Sequence, residues 1–571
     1  MNLRTTADHL VPSPLTDLTP TAFAGPADPL VLAGGVDAAV DSLFAPIADA
    51  LSAIVFFGIP IGGTELPLII VWLMCGAVFL TVFLRFQPIT GLRHSVRVIR
   101  GRLTRKTDPG EVSSFQALAT ELSGTVGLGN IAGVAVAITI GGPGAALWIV
   151  LFGFFAMTMK MAEATLGVKY REVRADGTTA GGPMYYLRKG LAEIGRPRTG
   201  RFLAGFYAVA TLIGVFGAGN LFQANQGAAI LVTATGGESS WLADKLWLIG
   251  LVMAALAALV ILGGITKIAD WTSAITPLMA VLYVVGTLAV LAVNVTQIPH
   301  AIGLILAGAF TGEGITGGII GVAIVGIQRA LFSNGGGIGT AGMAHSAVKT
   351  RDPATEGFTA LWEPLIDSVV ICTMTSLAIV TTGLYAADSG DGSTAAGVAL
   401  TAQAFGTVTS WFPVLLTVCV VLFAFSTVLS YAYYGQQAIG YLTGNSPLAK
   451  QVFNVVWVLM IVVGAAASLD AVMAFSDAML FLMTVPNLIG TYFLARIVRY
   501  EILKHRAKVD GGVLEDVPED LRVGIRDHAP TPEQVARERS RILTLRAKRE
   551  RIRAAFRAAQ KARGVVLPGD V

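Results

Sequence analysis

Two long apolar runs in this chain are interrupted in their middles by residues that break helices. One reads Gly124-Thr125-Val126-Gly127-Leu128-Gly129-Asn130, the other Ser333-Asn334-Gly335-Gly336-Gly337-Ile338-Gly339-Thr340. Each lies in a run long enough to cross a bilayer. In hydrocarbon, non-helical backbone survives only where protein buries it or a polar cavity faces it. Paired interruptions at corresponding places in two halves of a membrane chain point to a transporter's binding site. Close helix packing is the other use of such glycines. Two clusters, flanked by Thr125, Asn130, Ser333 and Asn334, favour a site.

Composition agrees with a membrane setting. Of 571 residues 54% are hydrophobic and only 14% charged, with mean hydropathy +0.67, against about 25% charged in soluble domains. Cys75, Cys372 and Cys419 fall in apolar runs with no pairing or metal spacing and read as buried thiols. The first sixty residues lack a basic n-region followed by an apolar core, so a cleaved signal peptide is not expected.

Apolar stretches near 66–85, 113–141, 144–168, 202–233, 246–264, 272–294, 317–341, 358–385, 408–434, 450–468 and 471–496 give eleven expected spans. Basic residues gather in 85–108, in 169–201 and after 496. Residues 1–84 hold one, Arg4, and the loops near 236–244, 296–316 and 386–396 are poor in Lys and Arg. The positive-inside rule then places the N-terminus outside and the C-terminus in the cytoplasm, which an odd span count also requires. With the first span set aside, ten divide five plus five, each half starting with a broken helix, so the halves run in opposite directions through the membrane. The expected domains are 1–65, an extracytoplasmic segment; 66–500, the transmembrane transporter; and 501–571, a basic cytoplasmic tail. The amphipathic stretch 37–56 fits an interfacial helix or a segment buried against the bundle.

A half-helix starting near Asn130 would aim free N–H groups at a carboxylate. One ending near Gly124 would offer carbonyls to an ammonium or Na⁺. Gly127 and Gly129 leave room for a ligand to touch backbone. A free amino acid carries both charges.

The run 114–171, SFQALATELSGTVGLGNIAGVAVAITIGGPGAALWIVLFGFFAMTMKMAEATLGVKYR, resembles the signature of the bacterial sodium:alanine/glycine symporters, the alanine or glycine:cation symporter family. Further matches follow in order: GGPMYYLRKGL at 181–191, GNLFQANQ at 219–226, KIADWTSAITPLMAVLY at 267–283, RALFSN at 329–334, EPLIDSVVICTMT at 363–375, FAFSTVLSYAYYG at 423–435 and VPNLIG at 485–490. The resemblance covers about 66–500. It implies an all-α polytopic protein with a leucine-transporter-like 5+5 inverted repeat, one extra N-terminal helix and discontinuous first and sixth core helices. It also implies Na⁺-coupled uptake of small neutral amino acids across the bacterial cytoplasmic membrane, and no enzyme activity. Carried onto matching positions, the substrate residues are Thr125, Gly127, Gly129, Asn130, Gln223, Asn334, Gly335 and Tyr431. The Na⁺ residues are Gly124, Thr125, Ser426 and Thr427, a hard cation seeking oxygen ligands.

Three departures stand out. Gly335 occupies a position where the family usually has Glu. Tyr431 stands near a common Trp. Glu121 stands where a small residue is expected, either in water near the cytoplasmic end or as a replacement cation partner or proton acceptor. Proton coupling is therefore the alternative within transport, and a non-transporting sensor is a different class. Lys160 and Glu163, one turn apart, are expected to pair. Asp477 reads as an intramembrane acid or a structural hydrogen bond. His345 is expected to face the cytoplasm. The tail from about 531 to 563, capped at Thr531-Pro532 and rich in Arg, reads as an amphipathic helix on the anionic inner leaflet. No specific nucleic acid partner is expected.

Overall fold

The computed structural model describes residues 36–61, 64–175, 177–261, 264–311, 318–386, 397–511 and, beyond them, positions 514, 516–517, 522–523, 550, 554–559 and 562. These residues form helices joined by short connections, with two small antiparallel hairpins, Gly58–Ile61 with Thr64–Pro67 and Glu172–Val173 with Thr179–Ala180. Among the described residues seven helices are long and apolar enough to cross a membrane, or eight if one bent pair counts as a span. Each of the eleven expected stretches falls on helix. However, Leu68–Phe83, Leu246–Ile261 and Gly318–Asn334 are only 16, 16 and 17 residues long, under the roughly 20 residues that a perpendicular span needs.

The first interruption is a true bend. Ser113 opens the helix Ser114–Thr125 with a capping box: its hydroxyl accepts from Gln116 N at 3.1 Å, and Gln116 Oε1 accepts from Ser113 N at 2.9 Å. The helix stops at Thr125, passes through a short 3₁₀ turn, Leu128–Asn130, and resumes as Ala132–Gly141 at 53°. The second interruption separates Gly318–Asn334 from the short helix Thr340–Ala344. Its chain reverses through Gly335, Gly337 and Gly339, whose φ values of +63°, +95° and +96° lie where a Cβ is disfavoured.

Two further irregularities lie beside these breaks. The helix Pro197–Phe216 runs into a π-helical turn, Gly217–Leu221, before Phe222–Ala234. A longer π-helical segment, Leu365–Cys372, precedes Thr373–Thr382. Such wide turns are rare and concentrate at functional sites.

Several expectations change. Residues 298–311, expected within a loop, form the helix Ile298–Thr311; at 14 apolar residues it is too short to span, and more than half of it is exposed or half-buried. Cys75 is exposed rather than buried, because its face of Leu68–Phe83 looks away from the bundle. The stretch 37–56 forms the helix Val36–Val55, which packs on the last helix, Leu469–Asp510: Ser52 Oγ donates to Ala474 O at 3.4 Å, and the Phe56 and Phe481 rings meet at 5.0 Å. That last helix runs on to Asp510, past the boundary near 500. The expected tail helix lies mostly outside the described residues; within them Phe556 packs against Tyr500, ring centroids 5.4 Å apart.

Candidate functional site: two broken helices and a buried charged layer

The two breaks touch. A Cβ on Gly129 would stand 3.1 Å from Ser333 Cα and 3.2 Å from the Phe332 ring. One carboxylate, Asp367 in the π-helical segment, binds both. Asn130 Nδ2 donates to Asp367 Oδ1 and Ser333 Oγ to Asp367 Oδ2, each at 2.6 Å. The remaining polar atoms of the breaks close their own loops. Asn130 Oδ1 accepts from Gly127 N at 2.9 Å, and Asn334 Oδ1 from Gly336 N at 2.8 Å. Asn334 Nδ2 donates to Ser368 Oγ at 2.9 Å. Asn130 and Asn334 thus act within the protein to hold the breaks open as loops.

The helix Phe412–Leu442 lines the first break. A Cβ on Gly124 would meet Ser430, Tyr431 and Tyr434 at 3.4–3.5 Å. Thr427 Oγ1 donates to Ser123 O at 2.7 Å and lies 2.8 Å from the point where a Cβ on Gly127 would sit. Ser426 Oγ donates to Phe423 O at 3.0 Å, and Thr125 Oγ1 to Glu121 O at 3.0 Å. Ser123 and Ser430 share a short hydroxyl contact. Gln223, two residues past the Gly217–Leu221 π turn, donates Nε2 to Ala218 O at 2.8 Å. Its Oε1, buried and without a hydrogen-bond partner among the described residues, lies 3.7 Å from the Gly127 Cβ position. Tyr431 lies flat against Gly219, where any Cβ would enter its ring. Gly127, Gln223, Thr427 and Tyr431 therefore converge. Gly335 lies beside Thr125, next to a charged layer. All of these residues are buried, so solvent does not reach the breaks in this conformation.

That charged layer was not anticipated. Lys160 Nζ donates to Glu121 Oε1 at 2.5 Å and to Thr340 Oγ1 at 3.3 Å, and lies 3.5 Å from Glu363 Oε2. All three charged side chains are fully enclosed. Thr340 Oγ1 also donates to Glu121 Oε1 at 2.6 Å, and Tyr434 donates to Glu121 Oε2. Glu121 is therefore not in water near the cytoplasmic end; it is a cation partner, and its cation is Lys160. A Cβ on Gly335 would lie 3.3 Å from Lys160 Nζ, so a side chain at that position would reach the same ammonium.

Lys160 does not pair with Glu163. Instead Glu163 Oε1 accepts from Gly337 N at 3.0 Å and from Asn487 Nδ2 at 2.9 Å. His345, expected to face the cytoplasm, is wholly buried: Nδ1 lies 2.7 Å from Glu356 Oε2 and Nε2 lies 2.6 Å from Glu363 Oε1. Ser114, the first residue of the first broken helix, donates to Glu356 Oε1 at 2.7 Å. Asp477 is ion-paired with Arg329. Glu356, Glu363 and Asp367 all lie in one apolar region, 353–382, and intramembrane acids of this kind are themselves a sequence signal for function.

A polar cluster outside the spans closes the end where Ser114 lies. His94 Nε2 and His505 Nε2 are 2.8 Å apart, His505 Nδ1 is 3.2 Å from Asp352 Oδ1, and Lys508 Nζ donates to Asp352 Oδ2 at 2.5 Å. Burial, with the charges of His505, Arg97 and Arg506, pushes the His94 imidazole down to about 4. Burial alone would raise the Asp352 carboxyl, but His505 and Lys508 hold it below the usual carboxylate range.

The family model described as the sodium:alanine symporter family matches residues 60–517. The chain belongs to that family. It is similar to "Sodium/alanine symporter AgcS" of Methanococcus maripaludis, with 38% identity over 76% of this chain and 92% of the relative. It is also similar to "Probable sodium/glutamine symporter GlnT" of Bacillus subtilis, with 31% identity over 76% and 86%. Among solved structures it resembles MhsT in complex with L-phenylalanine, at 14% identity and TM-score 0.46, covering 70% of this chain and 90% of that one. The protein is thus a multi-pass membrane transporter of a sodium-coupled amino acid family, and not an enzyme.

Proposed function

We propose that this protein couples Na⁺ entry to the uptake of a small neutral amino acid, alanine or glycine, by alternating access around the two breaks. One observation carries the reading. The buried Gln223 Oε1, with no hydrogen-bond partner among the described residues, and the Thr427 hydroxyl converge on Gly127 in the first break. An acceptor left unpaired in a dry site costs free energy, so it wants a donor, and the ammonium of an amino acid is one. Na⁺ is the second passenger. Thr427 Oγ1, Ser426 Oγ, Thr125 Oγ1 and the carbonyls around Gly124 offer it only oxygens, the donor set a hard cation takes.

The close fit of Gly129 against Ser333 and Phe332, and of Tyr431 against Gly219, favours a small side chain. With Gly127 N already donating to Asn130 Oδ1, a substrate carboxylate would rest on the backbone at Gly129 and the start of Ala132–Gly141. The leucine-transporter arrangement of two inverted five-helix halves, with one extra helix ahead of them, accommodates both breaks as first helices of their halves. A membrane potential of 100 mV supplies about 2.3 kcal/mol per charge, enough for roughly fifty-fold accumulation with one Na⁺ before its gradient is counted.

The test is alanine and glycine uptake into proteoliposomes, with glutamine and both alanine enantiomers in the panel. Choline in place of Na⁺ is expected to abolish uptake, and Thr427→Ala to raise the Na⁺ concentration needed for half-maximal uptake at least tenfold. Equal uptake in choline would overturn the reading.

A further inference from the structure

Lys160 stands among more acid than it can neutralise. Around it and His345 lie four buried carboxyls, Glu121, Glu163, Glu356 and Glu363. Glu121 and Glu363 share Lys160, and Glu356 and Glu363 share His345. Among the described residues Glu163 alone of the four has no ion pair. It also has an oxygen to spare: Oε1 takes both of its donors, Gly337 N and Asn487 Nδ2, while Oε2 is buried and has no hydrogen-bond partner among the described residues. An ionised carboxylate with one oxygen unsolvated and no cation is among the costliest groups to bury, and the neutral acid is far cheaper.

The place of Glu163 gives such a proton a use. It sits on the helix Ala145–Tyr170, with its carboxyl against the second break at Gly337. Asn487 of the last helix ties the same carboxyl to Gly337 O, at 2.7 Å. Tyr186 in turn donates to Asn487 Oδ1. The titratable groups facing Glu163 are Lys160 on its own helix, Glu121 from the first broken helix, Glu363 from the turn ahead of the π-helical segment, Tyr186 from Pro183–Glu193 and Tyr207 from Pro197–Phe216. The one cation in this set is already held by Glu121 and Glu363.

We propose that Glu163 is a proton-binding site of the transport cycle: Oε2 takes a proton from water as the breaks seal and returns it to water when they open. Loading forms the Oε2–H bond and breaks an O–H bond of hydronium, and unloading is the reverse, so no other reactant is needed. Sealing around the bound substrate requires the neutral acid, because Oε2 is then buried with no protein donor and no cation among the described residues. Proton binding and closure are therefore linked. This inference rests on the symport reading but names a second coupling ion and its residue.

The experiment uses the full chain in proteoliposomes, following labelled alanine and the pH of a dye trapped in the lumen at the same time. In the wild type, alanine flux is expected to carry a lumenal pH change, and uptake to rise as pH falls. Glu163→Gln, which mimics the neutral acid, is expected to keep uptake, flatten its pH profile and abolish the pH change. Glu163→Asp, still titratable, is expected to retain a pH profile with a shifted midpoint. Alanine flux in the wild type with no accompanying pH change would overturn the proposal, as would a Glu163→Gln profile equal to that of the wild type. If Glu163→Gln does not fold, the wild-type dye measurement decides alone. Absence of any alanine flux would overturn the symport reading and this inference with it.

Discussion

At the scale of single residues, positions 121 and 335 both face Lys160, and Glu121 is expected to stand in for an acid absent at Gly335. Glu121 supplies a carboxylate to Lys160 at 2.5 Å, while Gly335, whose Cβ would stand 3.3 Å from the same ammonium, has no side chain to supply. Removing one partner of a buried ion pair typically costs about 3–5 kcal/mol. Glu121→Leu is therefore expected to lower the thermal stability of the purified protein strongly. Adding Gly335→Glu to that variant restores a carboxylate beside Lys160, at a backbone cost of roughly 1–2 kcal/mol for a left-handed φ, and is expected to recover part of the loss. In the wild-type background the same Gly335→Glu crowds a second acid onto one cation and is expected to destabilise. The opposite signs are the signature, and a loss in both backgrounds would reject the pairing. Sequence made the glycines, the hydroxyls of Ser426 and Thr427 and the amide of Gln223 legible, because each belongs to a local pattern. Asp367 and Glu163 were missed because their partners are distant in the chain: 237 residues separate Asn130 from Asp367, and 324 separate Glu163 from Asn487.

At the scale of elements, the connection between the helix Leu92–Ile99, the start of Pro353–Ala360 and the end of Leu469–Asp510 is a polar clamp with a definite pH response. His94 has its folded value depressed from 6.5 to about 4. The unfolded chain therefore gains a proton there in acid before the folded one does, and stability is lost as pH falls through that window. Asp352 is also depressed; its contribution is present above the ordinary carboxylate value and is lost below it. Both act in the same direction. Melting temperature is expected to fall as pH drops from 6.5 toward 4, and His94→Gln is expected to blunt the upper part of that fall. A flat profile would contradict the clamp. The breaks themselves were legible as elements from glycine content. The helix Ile298–Thr311 was not, because a short apolar segment looks the same whether it lies on a bundle or connects two spans.

At the scale of the whole molecule, periodicity and composition marked out the helical membrane architecture, and the structure adds what hydropathy cannot: which helices bend and which are too short to cross alone. The charge distribution predicts the orientation. In a chain whose Cys75, Cys372 and Cys419 are replaced by Ala, Lys106→Cys is expected to react with a membrane-impermeant maleimide only after cells are opened, and Asp244→Cys in intact cells. The reverse pattern would invert the topology. The single carboxylate of Asp367 has a consequence at this scale. Since it grips Asn130 and Ser333 at once, neither interrupted helix can swing without dragging the other. The two therefore share one pivot, and on the symport reading a passenger held between them is expected to leave in a single event rather than one end at a time.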